Sequence, residues 1–286
     1  MLFVDLFMQA LLQGGIYALI AIGLTLVYGL LRILHVAHAG LYTLGGYLAV
    51  LVTNATGSFA LGLMLSMAGV GLVGMVIYRL IYQPILDKPP FVALIASIGL
   101  FIAMEEIYRI VFGPYGITFA AAPLQGTFNI AGISLRQCEI GAILLAAVLI
   151  TGLTLFTRYS RIGIAWRATV TDPGMSQSFG VDVIKVRYLN FFIGSAMAAG
   201  AGSMVALMNN LVEPTMGSVP SYKALAIIVL GGLGNVRGTL IAALVIGVAE
   251  TFGTIYLGNY LDRDSIAFAF LILVLMVKPT GLFAKG

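Results

Sequence analysis

Residues 158–188 read RYSRIGIAWRATVTDPGMSQSFGVDVIKVRY and form the one long charged stretch of an otherwise apolar chain. The stretch holds seven of the chain's 26 charged residues, and five of the seven are Arg or Lys. Apolar runs long enough to cross a bilayer flank it on both sides. A basic loop between membrane segments is predicted to face the cytoplasm, so this stretch sets the orientation of the whole chain.

The composition is that of a membrane protein. Hydrophobic residues make up 60% of the 286 and charged residues only 9%, against about 25% in a soluble domain. The apolar residues form continuous runs of about 20, which predicts an all-α, polytopic transmembrane bundle. We interpret the net charge of +4 as a topology signal and expect no nucleic-acid partner.

Nine apolar segments are predicted to be membrane helices of a single transmembrane domain covering residues 1–286. They are residues 6–31, 40–53, 59–80, 91–111, 140–157, 188–211, 221–234, 240–257 and 265–277. The segments 40–53 and 221–234 are short and rich in glycine, and each would reach about 21 Å of a ~30 Å hydrocarbon core. If 221–234 enters and leaves on one side, the chain crosses eight times, so we expect eight or nine spans.

The distribution of Lys and Arg predicts the orientation. With nine crossings the N-terminus lies outside, the C-terminus is cytoplasmic, and eleven basic residues face the cytoplasm against four outside. The eleven are Arg32, Arg79, Lys88, Arg158, Arg161, Arg167, Lys185, Arg187, Arg237, Lys278 and Lys285. The four are Arg109, Arg136, Lys223 and Arg263. Eight crossings would change the counts to nine and six, a weaker bias.

The glycines of the two short segments are candidates for a translocation path. Gly45 and Gly46 lie in one segment, and Gly231, Gly232 and Gly234 lie in the other, one group in each half of the chain. Interrupted helices in corresponding halves present backbone polar groups along a path. Close helix packing, which glycine permits, explains the same residues, and both explanations stay open.

Glu250 is a further path candidate, because ionisable groups within the membrane are costly and are often functional. It either lines a path or extends its carboxylate to the outer interface. Glu105, Glu106 and Arg109 have the helical spacing of a local ion pair near the end of their segment.

The chain lacks the residues that a membrane enzyme needs. His35 and His38 are its two histidines and Cys138 its one cysteine, too few for a metal site with three or four ligands. We expect the histidines to form hydrogen bonds at the aqueous cytoplasmic boundary. No GxxxxGK[ST] segment occurs, so no P-loop binds ATP in this chain. We therefore expect no catalytic residue, no metal and no cofactor here.

Four stretches, in order along nearly the whole chain, resemble the permease subunits of branched-chain amino acid ABC importers. The first is residues 13–40, QGGIYALIAIGLTLVYGLLRILHVAHAG, with LGGY at 44–47, and the second is residues 160–187 of the charged stretch. The others are residues 226–250, AIIVLGGLGNVRGTLIAALVIGVAE, and residues 278–286, KPTGLFAKG.

The resemblance implies a multi-pass subunit of the inner (plasma) membrane that works with other proteins. In this family a second homologous permease completes the channel, two cytoplasmic ATPase subunits bind ATP and Mg²⁺, and a periplasmic solute-binding protein delivers the cargo. The cargo would be branched-chain amino acids or related amides, urea or aromatic acids. His35 stands where the family usually carries Asn, which widens the expected range of cargo.

The family also implies a coupling helix, a short cytoplasmic helix that enters a groove of the ATPase. Here Asp172 is expected to cap that helix, with Pro173 at its first position and Gly180 at its end. The body of the helix would be Met175, Ser176, Gln177, Ser178 and Phe179. The large apolar side chain of Phe179 would be the anchor.

The alternative function is an ion-coupled secondary transporter of small organic solutes, in which the charged stretch is a plain linker. The small number of charges within the predicted spans argues against ion coupling. Such a transporter would also have no need of a capped helix after Asp172.

Overall fold

The computed structural model describes residues 2–130, 133–258, 260–278 and 282, which form a bundle of α-helices with a small β-hairpin. The helices are α1 Leu2–Leu31, α2 His38–Thr56, α3 Phe59–Ile77, α4 Pro90–Phe112, α5 Gln137–Tyr159, α6 Arg161–Thr171, α7 Pro173–Ser178, α8 Val183–Asn209, α9 Ser218–Gly231, α10 Val236–Leu257 and α11 Arg263–Val277. A π-helical turn, Tyr78–Tyr82, and a 3₁₀ turn, Gln83–Ile85, extend α3. The antiparallel strands are β1 Thr127–Ile130 and β2 Ile133–Arg136.

Each of the nine predicted segments coincides with a helix, but only six helices of the described residues have both the length and the apolarity to cross a membrane. These are α1, α3 with its two turns, α4, α5, α8 and α10. The apolar helices α9 and α11 are shorter, with 14 and 15 residues. Helix α2 lies inside the bundle, where 12 of its 19 residues are buried.

Small residues set the spacing of the central helices α1, α2 and α8. A Cβ on Gly194 of α8 would lie 2.9 Å from the carbonyl oxygen of Gly23 in α1. A Cβ on Gly202 would overlap the carbonyl of Tyr42 in α2. The absence of these side chains allows the backbones to approach closely, as in other membrane bundles.

Contacts between loops sort the helix ends into two groups. At one end Asn54 donates from Nδ2 to the Thr118 carbonyl (3.0 Å), and Ile117 pairs with Val212. This is the hairpin end, residues 54–58, 113–130, 133–137 and 209–217. The opposite, basic end comprises residues 30–37, 78–89, 158–187 and 231–237. There Tyr188 donates its hydroxyl to Gln83 Oε1 at 3.1 Å.

The charged stretch is folded rather than a loop with one short helix. Helix α6 occupies Arg161–Thr171 and begins where Ser160 Oγ accepts a hydrogen bond from the Gly163 N–H at 2.8 Å. Helix α8 begins at Val183, five residues before the predicted start of its segment. The prediction missed α6 because its charges were interpreted only as a topology signal.

The β-hairpin corrects the all-α prediction at one place. Its strands have four residues each, too short for an alternating pattern to stand out beside long apolar helices. Of the C-terminal stretch 278–286, Lys278 and Leu282 are described, so Lys285 and most of that motif lie outside the described residues.

Candidate functional site

Helix α7 has the ends that were predicted for a coupling helix. Asp172 Oδ1 accepts a hydrogen bond from the Met175 N–H at 2.9 Å, and Pro173 occupies the first position. The helix ends at Ser178 with Phe179 as its C-cap residue, and Gly180 follows with φ of +82°, a conformation that favours glycine. The local structure therefore agrees with the sequence reasoning, while the docking role of α7 stays a prediction.

The two sides of α7 differ sharply in exposure. Ser176 is buried, and its hydroxyl donates to the Asp172 carbonyl at 2.7 Å. Phe179 and Met175 are 82% and 58% exposed, and Gln177 is exposed beside them. The helix thus presents an apolar pair on a basic surface, which is costly unless a partner covers it.

A second cap fixes the chain after α7. Asp182 Oδ1 accepts from the Lys185 N–H at 3.1 Å, and its other carboxylate oxygen lies 3.1 Å from Lys185 Nζ. These hydrogen bonds hold the pKa of the Asp182 carboxyl below its usual value. A capped helix start therefore lies on each side of α7, at Asp172, where α7 itself begins, and at Asp182, where α8 begins.

The glycines of α2 are packing residues in this structure. A Cβ on Gly45 would overlap the backbone of Ala199 in α8. A Cβ on Gly46 would lie 3.1 Å from Val212 and 3.2 Å from Met216, side chains that precede α9. Close contact at both positions supports the packing explanation, and the role of these glycines in a path stays a prediction.

The glycines of the second group form the turn between α9 and α10. Gly232 and Gly234 have φ of +88° and +81°, and Asn235 Oδ1 then caps α10 through the Gly238 N–H at 3.1 Å. The Cα of Gly234 lies against Gly29 of α1, and Gly231 lies against the backbone of α10. The turn between α9 and α10 lies at the basic end, whereas Gly46 of α2 contacts residues of the hairpin end. The fold therefore does not bring the glycines of α2 and the glycines of this turn together.

Glu250 belongs to a buried polar cluster that joins four helices. Lys223 Nζ in α9 lies 2.8 Å from Glu250 Oε1 in α10 and 2.7 Å from Asp264 Oδ1 in α11. The hydroxyl of Tyr17 in α1 donates to Glu250 Oε2 at 2.7 Å and accepts from Lys223 Nζ at 2.9 Å. The side chains of Lys223 and Glu250 are 5% and 0% exposed.

The cluster corrects the sequence analysis on Lys223, which was counted among the charges outside the membrane. A buried ammonium or carboxylate must have a partner of opposite charge. Lys223 and Glu250 are that partner for each other. Sequence spacing gave no sign of the pair, because its members lie on different helices. The signal that could have found it is the presence of one cation and one anion within predicted apolar segments.

The two histidines are buried, so the expected aqueous position is wrong. His35 Nδ1 forms a 2.6 Å hydrogen bond with the Tyr82 hydroxyl, and His38 Nε2 lies 3.2 Å from the Ile20 carbonyl. The rings of Tyr82, Phe191 and His38 pack around His35, with ring centres 5.1, 5.5 and 5.7 Å from its own. In the described part of the chain, no three His, Cys, Asp or Glu side chains are grouped to hold a metal ion.

The structure is that of a polytopic helical membrane protein with its interior charges paired and a folded, basic end that exposes a short capped helix. The sequence model of the family described as "Branched-chain amino acid transport system / permease component" matches residues 6–277. The chain belongs to this family and is a membrane transport permease.

Two curated permeases, LivH and BraD, are similar to the chain along almost their full length. The chain is 32% identical to the high-affinity branched-chain amino acid transport system permease protein LivH of Salmonella typhimurium, over 95% of this chain and 92% of that protein. It is 31% identical to the corresponding protein BraD of Pseudomonas aeruginosa, over 97% and 94%. It is 26% identical to the permease protein LivM of Escherichia coli, over 93% of this chain and 67% of LivM.

Proposed function

We propose that the chain is one of two permease subunits of an ATP-driven importer of the inner membrane. Its cargo is branched-chain amino acids, or related amides, urea or aromatic acids, moved from the periplasm to the cytoplasm. The observation that carries this proposal is the family match over residues 6–277, with similarity to LivH along nearly all of both chains.

In the proposed topology nine helices cross the membrane, the N-terminus lies outside and the C-terminus is cytoplasmic. The basic end then faces the cytoplasm and the hairpin end faces the periplasm. The collection of Lys and Arg at the basic end supports this orientation. The loop contacts place the two ends of α2 in different groups, and likewise the two ends of α9. This supports one membrane crossing by each of these helices.

In the proposed mechanism α7 is the coupling helix. Phe179 and Met175 would enter an apolar groove of a cytoplasmic ATPase, and the cap at Asp172 would hold the helix rigid. ATP and Mg²⁺ bind the ATPase subunits, whose closure moves α7 and, through α6 and α8, the bundle. The motion opens the permease alternately to each side of the membrane, without covalent chemistry in this chain.

The proposed partners are a second permease and a periplasmic solute-binding protein, in addition to the two ATPase subunits. Similarity to both LivH and LivM supports a pair of distinct homologues rather than two identical chains. The substrate would cross between them. The candidate path positions are Gly45, Gly46, Gly231, Gly232, Gly234 and Glu250.

The decisive experiment reconstitutes the chain with its co-purifying subunits in vesicles and measures uptake of leucine under two driving forces. We expect uptake when ATP is supplied on the side of the vesicle membrane that the ATPase subunits face. We expect no uptake with a sodium or proton gradient alone. Uptake driven by a gradient in the absence of an ATPase would instead support the secondary transporter.

A further inference from the structure

A cavity of about 310 Å³ opens at the basic end between α1, the turns that extend α3, and α8. Its apolar lining comes from Leu30 and Leu31 of α1, Leu86 after the 3₁₀ turn, and Ile184 of α8. The volume is at the lower end of the ~300–1,000 Å³ that is usual for small-molecule sites. The cavity therefore suits a ligand as small as a single amino acid.

Two opposite charges line the cavity from different elements. Arg187 belongs to α8, and Asp87 lies in the turn that follows the 3₁₀ turn. The two side chains form no ion pair with each other, so their charged atoms are more than 4.0 Å apart. Among the described residues, neither has another partner of opposite charge within that distance. The space between them suits a ligand that carries both charges itself.

Tyr78 supports the guanidinium group of Arg187 from the interior. Its side chain is fully buried, and its ring centre lies 5.0 Å from the ring centres of Tyr188 and Phe191. The Tyr78 hydroxyl lies close to the Arg187 guanidinium. A guanidinium group that is held by a neutral hydroxyl rather than by a carboxylate keeps its charge available to a ligand.

Gln83 and the backbone after it complete the polar side of the cavity. The side-chain oxygen of Gln83 accepts from the Tyr188 hydroxyl at 3.1 Å, which leaves the amide nitrogen as a donor for a ligand carboxylate. The Lys88 N–H donates to the Ile85 carbonyl at 3.0 Å and thereby fixes the turn that carries Asp87. The donor side and the acceptor side of the cavity are thus both held by local hydrogen bonds.

We propose that this cavity binds one aliphatic α-amino acid as a zwitterion. The α-carboxylate lies at Arg187 and Gln83, and the α-ammonium group lies at Asp87. The aliphatic side chain packs against Leu30 and Leu31. The choice of an aliphatic amino acid among zwitterions rests on the proposed function, in which such molecules are the cargo and the basic end faces the compartment that receives them.

The two opposite charges argue against simpler occupants. A phosphate or a carboxylate alone would meet the charge of Asp87, and a metal ion or an amine alone would meet that of Arg187. A Lys or Glu side chain inserted from an ATPase carries one charge at its tip and would leave one charge of the cavity unpaired. A zwitterion pairs both, and the apolar lining favours a branched side chain. The headgroup of phosphatidylethanolamine shares this chemistry, and the experiment separates it from an amino acid.

The test is displacement of tritium-labelled leucine from the full-length, detergent-solubilised chain. Isocaproate lacks the ammonium group of leucine, isoamylamine lacks its carboxylate, and glycine lacks its side chain. We expect unlabelled leucine to displace the label at a concentration about five-fold or more below that of each analogue, because each analogue loses one of the three contacts.

Two variants separate a binding role of the charges from a structural one. Asp87→Asn should weaken leucine about five-fold and leave isocaproate unchanged, since isocaproate has no ammonium group to pair. Arg187→Gln should weaken leucine to a similar extent and leave isoamylamine unchanged. A structural role would weaken all of these ligands equally. Lys88→Gln is the matched control, because Lys88 is exposed beside Asp87 but does not line the cavity, and it should retain the full selectivity.

Absence of saturable leucine binding by the unmodified chain would overturn the proposal, and this outcome requires no variant to fold. Leucine binding that both Asp87→Asn and Arg187→Gln leave unchanged would also overturn it, because the amino acid would then lie elsewhere in the chain. Stronger displacement by glycerophosphoethanolamine than by leucine would assign the cavity to a lipid headgroup instead. Gradient-driven uptake in the vesicle experiment would contradict the proposed importer and would leave this binding result as it stands.

Discussion

Lys223 lies within 2.8 Å of carboxylates on two other helices, in surroundings that exclude nearly all water. For single residues, the stability of the bundle depends on whether a buried charged side chain has a partner of opposite charge, and not on whether a charge is present. Removal of one member of a buried ion pair leaves the other without compensation and costs about 3–5 kcal/mol, whereas removal of both is much less costly.

We expect Lys223→Met to lower the thermal stability of the detergent-solubilised chain strongly, because the Glu250 carboxylate then remains buried without its cation. Addition of Glu250→Gln to that variant should restore part of the loss. Lys185→Met is the control, since that side chain is 85% exposed and a solvent-exposed pair such as the one with Asp182 contributes little to stability. Equal melting temperatures for the two lysine variants would contradict the stabilising role of the cluster.

Gly45 tests the two explanations that the sequence left open. Because a Cβ would overlap Ala199, we expect Gly45→Val to separate α2 from α8 and to cost about 1–3 kcal/mol of stability. Gly99→Val in α4 is the matched control, since no atom lies within 4 Å of a Cβ there. Melting of the purified chain measures both. A variant of Gly45 that melts normally but blocks uptake would favour the path.

At the scale of elements, the short helix α7 buries the polar side chain of Ser176. It exposes the apolar side chains of Met175 and of Phe179, the residue that follows the helix. We expect Phe179→Ala to weaken co-purification of the ATPase and to reduce ATP-driven uptake, because the loss of a buried aromatic anchor commonly costs 2 kcal/mol or more, roughly a thirty-fold change in affinity. The chain should still insert in the membrane, since Phe179 is 82% exposed and contributes little to the fold.

Tyr115→Ala is the control for this test, because Tyr115 is an equally exposed aromatic, at 89%, on the hairpin end. It should leave co-purification unchanged. If Phe179→Ala retains the ATPase as well as Tyr115→Ala does, α7 is not the anchor and another part of the basic end must bind the partner.

The elements also show where sequence reasoning succeeds. Long apolar runs predicted the positions of nine helices, since burial in lipid leaves no other way to satisfy the backbone. The ends of α7 were predictable because Asp172, Pro173 and Gly180 act on their immediate neighbours. The contact between Lys223 and Glu250 and the packing of Tyr82 and Phe191 around His35 were not, because each depends on helices far apart in the sequence.

For the whole molecule the remaining question is whether α9 crosses the membrane. In a nine-crossing chain α10 ends outside and α11 ends in the cytoplasm, and in an eight-crossing chain both assignments reverse. Lys223 ties the first half of α9 to Tyr17 of α1, Glu250 of α10 and Asp264 of α11, and Gly231 at its last position lies against the backbone of α10, as expected of a helix that runs through the bundle.

Tyr260 and Val277 are exposed residues at those two ends, both at 86%, and allow a labelling test. In a Cys138→Ala background, we expect Tyr260→Cys to react with a membrane-impermeant maleimide in spheroplasts, and Val277→Cys to react only after permeabilisation. Tyr115→Cys and Phe179→Cys serve as the outer and inner references, because neither position changes sides between the two topologies. The reverse pattern at Tyr260 and Val277, with the references unchanged, would mean that α9 enters and leaves on the same side. Reversal of all four would instead place the basic end outside.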